Sequence, residues 1–166
     1  MGHHITKFGS LLDFEKGRVE IVDDDPKNYV FSNIFDVATK SSAYERVAVA
    51  KNFEYVIEAV RAVGQSPWYS ADHDEFALAM DGEIEITLVK LDTPVAPAGS
   101  QGAISLAAEP EGKRMGRIVL RRGHMGMLPK GSAYRFNSQQ PSVMMIQTIE
   151  GAVTVQKWAE ICQINA

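Results

Sequence analysis

The stretch "SPWYSADHDEFALAMDGEIEI", residues 66–86, gathers side chains that could hold a metal ion. Glu75 stands seven residues before Gly82, and His73 stands two before Glu75. Further on, "GHMGMLPKGSAYRFN" sets Gly123, Pro129 and Gly131 at fixed offsets. His124 follows the first of these glycines, and Tyr134 stands three residues after the last. A divalent first-row ion needs three or four donors converging at about 2.0–2.3 Å. His73 shares strand parity with Tyr69, Ala71 and Glu75, so the four can face one cavity. His73, Glu75 and His124 are then one possible donor set. The plainer reading gives each a structural task. His73 pairs with Asp72 or Asp74 at a rim, and His124 belongs to a turn. Glu75 accepts a hydrogen bond from Tyr134 or Tyr69, because a lone buried carboxylate is costly.

Such residues work only if rigid elements aim them. In "GEIEITLVKL", Ile84, Ile86 and Leu88 fall on one face and Glu83, Glu85 and Thr87 on the other. That is the period-two pattern of a half-buried strand. "EYVIEAVRA", residues 54–62, alternates in the same way, although a helix competes there. "GRIVLRRGHMGMLP" and "SVMMIQTIEGAVTV" add β-branched or apolar runs broken by glycine. "QKWAEICQI" stays open between helix and strand. Many strands with Gly and Pro turns predict an all-β closed barrel such as a jelly roll, with minor helical segments. Three stretches read as connections: 22–28, 41–45 and the Pro-, Gly- and Ala-rich 92–116. Loops as long as the last are functional or packed against something.

Composition narrows the setting. The chain has 166 residues, so one domain is expected over 1–166, with an N-terminal arm of about forty residues. A net charge of -4 gives no footprint for nucleic acid or an anionic membrane. Cys162 is the only cysteine, which excludes an internal disulfide and a thiolate metal cluster. That suits a reducing cytosol. The first twenty residues lack an apolar signal core, and no run reaches the ~18 apolar residues of a membrane span. A cytoplasmic protein is expected. His3 and His4 read as terminal residues rather than ligands.

The spacing of the two motifs resembles the cupin family. Its first motif is G-x5-H-x-H-x3,4-E-x6-G, and its second is G-x5-P-x-G-x2-H-x3-N. Glu75, six residues and Gly82 match the end of the first. Gly123, five residues, Pro129, Lys130 and Gly131 match the start of the second. The ligand positions depart from the pattern. Tyr69 and Ala71 stand where the histidine pair belongs, Tyr134 stands at the second-motif histidine, and Ser138 at the asparagine. Ala71 offers no donor, and a neutral tyrosine, with a reference pKa of about 10, is a poor ligand near neutrality. Of four ligands only Glu75 remains, so the stretch reads as a vestigial site with no metal and no catalytic residue.

Over nearly its whole length the chain is similar to the small subunit of the two-subunit hydroquinone 1,2-dioxygenases. The resemblance is carried by "AKNFEYVIEAVRAVGQSPWYSADHDEFALAMDGEIEI", "RRGHMGMLPKGSAYRF" and "WAEIC". It implies an accessory role in the bacterial breakdown of para-nitrophenol and related phenols. A larger cupin-containing partner would hold Fe(II) and open hydroquinone with O2 to 4-hydroxymuconic semialdehyde. An α2β2 assembly is implied. Trp68 then either packs inside its own barrel or serves an interface, where aromatic residues are enriched. Two other readings stay open: a self-sufficient cupin enzyme with unusual ligands, and a metal-free cupin that binds a small molecule.

Overall fold

Alternating burial sorts the chain into strands. The computed structural model describes residues 32–161 together with residue 23. His3, His4, Cys162 and most of the N-terminal arm lie outside the described residues. The strands are β1 Arg46–Asn52, β2 Tyr55–Ala71, β3 Glu75–Asp81, β4 Glu83–Leu91, β5 Ala103–Leu106, β6 Gly112–Arg121, β7 Met125–Leu128, β8 Ser132–Ile149 and β9 Thr154–Val155. Helix α1 Ile34–Lys40 precedes them and the short α2 Trp158–Ile161 follows. Residues 54–62 lie in a turn and in β2, not in a helix. Their alternate side chains Val56, Val60 and Ala62 are buried together on one face.

Two long strands organise the barrel. β2 and β8 pair antiparallel from Tyr55↔Ile149 to Ser70↔Ala133, with register breaks near Gly64 and between Gln65 and Trp68. On either side of the breaks each strand takes a different second neighbour. β2 pairs first with β1 and then with β5. β8 pairs first with β4 and then with β3. β6 extends the β4 side, and β7 extends the β3 side. The two curved faces enclose the largest cluster of buried side chains among the described residues, which includes Tyr69, Ile84, Ile86, Leu128, Phe136 and Ile146. This is an all-β jelly-roll barrel.

The stretch 92–116 is not a plain loop. It contains β5, and the β4–β6 ladder begins inside it at Leu91↔Gly112. Its Pro and Gly content masked a hairpin whose long connection carries an edge strand. Outside the barrel, α1 is capped by Asn33, whose side chain accepts from the N–H groups of Phe35 at 3.0 Å and Asp36 at 3.4 Å. Its Val37 packs on Val47, Val49 and Ala59, and its Phe35 and Ala38 pack near Val143. Both faces of β1 are therefore covered.

The β3–β4 turn shows why glycine is required at one motif position. Gly82 has φ +75°, and a Cβ there would lie 2.1 Å from Ser142 Oγ. That hydroxyl also accepts from the Glu83 N–H at 3.2 Å, while Ser138 Oγ donates to the Glu83 carbonyl at 2.7 Å. The turn is thus stitched to the bend of β8. Gly82→Ala should cost about 2–4 kcal/mol, combining the left-handed backbone with overpacking. Gly99→Ala has a similar φ, +73°, with nothing within 4 Å. It should cost only about 1–2 kcal/mol. Urea midpoints at unchanged slope would check the pair.

Candidate functional site

β1 and β2 form a hairpin in which Ala48 faces Glu58 and Arg46 faces Val60. Glu58 shares the inward face of β2 with Val56 and Val60, so its carboxylate enters the core. Arg46 enters from the first position of β1. Glu75 enters from the first position of β3, and Tyr134 comes from β8, directly opposite Tyr69. Arg46 is 2 % exposed, and Glu58 and Glu75 are 0 %.

The guanidinium uses each of its edges. Arg46 Nε donates to Glu58 Oε2 at 2.5 Å, Nη2 to Glu75 Oε1 at 2.8 Å and Nη1 to the Tyr134 hydroxyl at 3.1 Å. Tyr134 in turn donates to Glu75 Oε2. Thr154 Oγ1 donates to Glu58 Oε1 at 2.7 Å. The Arg46 Cζ also lies 5.6 Å from the centroid of the Tyr69 ring. A buried charge is tolerable only when paired and hydrogen-bonded in this way.

Burial and pairing pull each group in opposite directions. Burial opposes the charge on Arg46, but Tyr134, Glu75 and Glu58 outweigh it and hold the guanidinium protonated above its ordinary value. Burial raises Glu75, yet the Arg46 charge and the Tyr134 hydrogen bond bring it below the usual carboxylate value. For Glu58 burial prevails over Arg46 and Thr154, and its pKa is raised. One guanidinium divided between two carboxylates favours the one with the extra phenolic donor. Burial also pushes the Tyr134 phenol well up, so it stays neutral.

The other singled-out residues fall elsewhere. Tyr69 packs in the core with its ring tilted against two others, 5.8 Å from Tyr134 and 6.3 Å from Phe136 between ring centroids. Ala71 is buried opposite Ala103. Trp68 packs with Leu91 and Ala133, with the Arg135 guanidinium 4.5 Å from its ring centroid. His73 lies in the bend between β2 and β3, where strand parity ends. Its Nε2 is 2.9 Å from Thr148 Oγ1. Asp72 and Asp74 instead engage Lys130: Asp72 pairs with its ammonium at 2.8 Å, and Asp74 accepts from its N–H at 2.8 Å. His124 sits in the exposed β6–β7 turn, and its Nδ1 accepts from the Arg121 N–H at 3.2 Å. The His73, Glu75 and His124 set does not form.

The resemblance to cupins implies a metal ion, and the described residues at the motif positions do not fit one. Among the described residues no three His, Cys, Asp or Glu side chains cluster to hold a metal. The Glu75 carboxylate is already committed to Arg46 and Tyr134 on both oxygens. A fixed positive charge touches three of the four motif positions, Tyr69, Glu75 and Tyr134. Sequence reasoning missed Arg46 and Glu58. The signal for Glu58 was a charged residue at an apolar-face position of "EYVIEAV".

Two outcomes follow from this network. Arg46→Met leaves two buried carboxylates without a cation and should cost about 3–5 kcal/mol. Glu75 is shifted down on folding, so its contribution is full above the unfolded carboxylate value of about 4.3 and is lost as pH falls through the folded value. Glu58 is shifted up and acts in the opposite sense. The stability difference between wild type and Glu75→Gln should therefore be largest near neutral pH and shrink in acid. Urea unfolding across a pH series would measure it.

No family model and no curated protein matches the chain. Solved structures do. A hydroquinone 1,2-dioxygenase from Sphingomonas sp. TTNP3, with 4-hydroxybenzoate bound, is 61% identical, with 99% of this chain and 100% of that chain covered and a TM-score of 0.92. Hydroquinone 1,2-dioxygenase PnpCD, in complex with Cd2+ and 4-hydroxybenzonitrile, is 49% identical over 96% of this chain and 97% of that one, with a TM-score of 0.88. A cupin-2 domain protein from Shewanella frigidimarina NCIMB 400 is 18% identical over 76% of this chain and 100% of that one, with a TM-score of 0.54, and shares the fold. The jelly-roll barrel has the fold of that cupin-2 domain protein, and the chain belongs to the hydroquinone 1,2-dioxygenase family.

Proposed function

We propose that this chain is the small, structural subunit of an Fe(II)-dependent hydroquinone 1,2-dioxygenase. The whole enzyme joins O2 to hydroquinone and opens the ring beside a hydroxylated carbon, giving 4-hydroxymuconic semialdehyde. A larger cupin-containing subunit holds the iron. An α2β2 assembly in the cytoplasm, serving para-nitrophenol breakdown, completes the reading. The observation that carries it is the Arg46 guanidinium bound to Glu58, Glu75 and Tyr134. A pocket filled by the protein's own cation has no place for iron, O2 and a diol.

Surface features support a partner. Phe53 stands at the tip of the β1–β2 hairpin, 89 % exposed, with φ +55°. A bulky residue in that region is strained, and such strain concentrates at functional sites. On the outer face of the β3–β7 pair, Met125 and Met127 are 64 % and 51 % exposed. They lie opposite Leu78 and Phe76. Exposed apolar groups gathered on one face mark interaction surfaces. Among the described residues no helix is long and apolar enough to cross a membrane.

The chain alone should show no ring cleavage, and adding the larger subunit with Fe(II) under air should restore it. Ring cleavage by the purified chain alone would favour a self-sufficient enzyme. A stable monomer that copurifies with no larger protein from its host would refute the subunit reading. Phe53→Gly removes the strained aromatic, so the chain should melt no lower than wild type. If Phe53 is an anchor, association should weaken at least about tenfold, as for an interface hot spot. Titration calorimetry and thermal melts separate the two effects.

A further inference from the structure

We infer that Arg46 is a built-in replacement for the metal ion, and that Glu58, Glu75 and Tyr134 form a receptor specific for a guanidinium-type cation. The shape of the acceptors argues for it. A small spherical ion requires donors that converge on one point. Here the acceptors are spread around the rim of a planar fork: Glu58 on the Nε side, Tyr134 on Nη1 and Glu75 on Nη2. Directional, charge-assisted bonds of this kind are what distinguish arginine from lysine.

The receptor has supports that do not involve Arg46. Thr154 Oγ1 holds Glu58 at 2.7 Å, and the Tyr134 hydroxyl holds Glu75. Tyr134 itself is fixed by the rings of Tyr69 and Phe136, at 5.8 and 5.4 Å between centroids. Removing the arginine side chain therefore leaves a buried cavity with its acceptors in place. The cavity carries two carboxylates and has the length of the lost side chain. Its ligand class is a small alkylguanidinium. The inference concerns this chain alone and holds whatever its partner is.

The test uses the full-length chain and three variants, Arg46→Ala, Arg46→Lys and Arg46→Ala/Glu75→Gln. Arg46→Ala should melt lower than wild type by on the order of 10 °C, because a buried pair has lost its cation. Ethylguanidinium at about 10 mM should recover a good part of that shift by ligand linkage. The same concentration of ethylammonium should recover little, and the recovery should vanish in the double variant. Arg46→Lys keeps the charge but not the fork, so it should also melt below wild type. This variant decides the matter if Arg46→Ala does not fold. The proposal fails if Arg46→Lys equals wild type, or if ethylguanidinium shifts Arg46→Ala no more than it shifts wild type. It fails also if micromolar Mn2+ or Zn2+ restores Arg46→Ala better than ethylguanidinium. Stoichiometric divalent metal in dialysed wild type, lost on Glu75→Gln, would overturn it as well.

Discussion

A guanidinium with almost no contact with water is the constraint around which this barrel is arranged. Removing such a charge from solvent costs several kcal/mol even after relaxation. The fold offsets that cost with groups drawn from four strands: Glu58 from β2, Glu75 from β3, Tyr134 from β8 and Thr154 from β9. Each strand must hold its register to within one residue, because a slip of one would turn the polar group to the outside. The same network that neutralises the charge thus fixes the alignment of the barrel. The jelly roll and the charge cannot be understood apart.

Where the sequence was legible, one face of a strand was polar or one turn needed glycine. Ile84 and Ile86 against Glu83 and Glu85 announce β4 and its orientation, and the structure buries both isoleucines completely. Gly82, Gly123 and Gly131 mark turns, and all three have positive φ. Arg46 was hidden for a physical reason. In "RVAVAKN" the outward Val47 and Val49 are covered by α1, so both faces at the start of β1 are buried and alternation carries no information. Glu58 was more accessible, since it interrupts the apolar face shared by Val56 and Val60. A contact that joins Arg46 to Tyr134 across 88 residues cannot be found from local pattern. His73 misled for a related reason. Parity counts only along an unbroken strand, and β2 ends at Ala71 before it.

The outside of the barrel is divided between covered and open apolar surface. α1 shields β1 and the nearby part of β2, whereas Met125 and Met127 remain exposed. Methionine is flexible and polarizable, and it adapts to an irregular partner surface. The rest of the surface is laced with exposed ion pairs such as Arg117–Glu85 and Arg121–Glu83. Those pairs contribute little stability. They lie on the β4–β6 pair, where Val119, opposite Glu85, and Met115 are also exposed.

The spacing of Arg46's neighbours along the chain also sets an order in time. Glu58 is 12 residues away, Glu75 is 29 and Tyr134 is 88. Thr154, which steadies Glu58, lies 96 residues beyond it. A growing chain on the ribosome therefore makes the cation first and completes its surroundings last. The β1–β2 hairpin can form early, but with an arginine whose full set of acceptors does not yet exist. Until β8 and β9 emerge, that charge favours water over the interior. Closing the barrel over this arginine before β8 and β9 emerge would bury a charge without its full set of acceptors, at a cost of several kcal/mol.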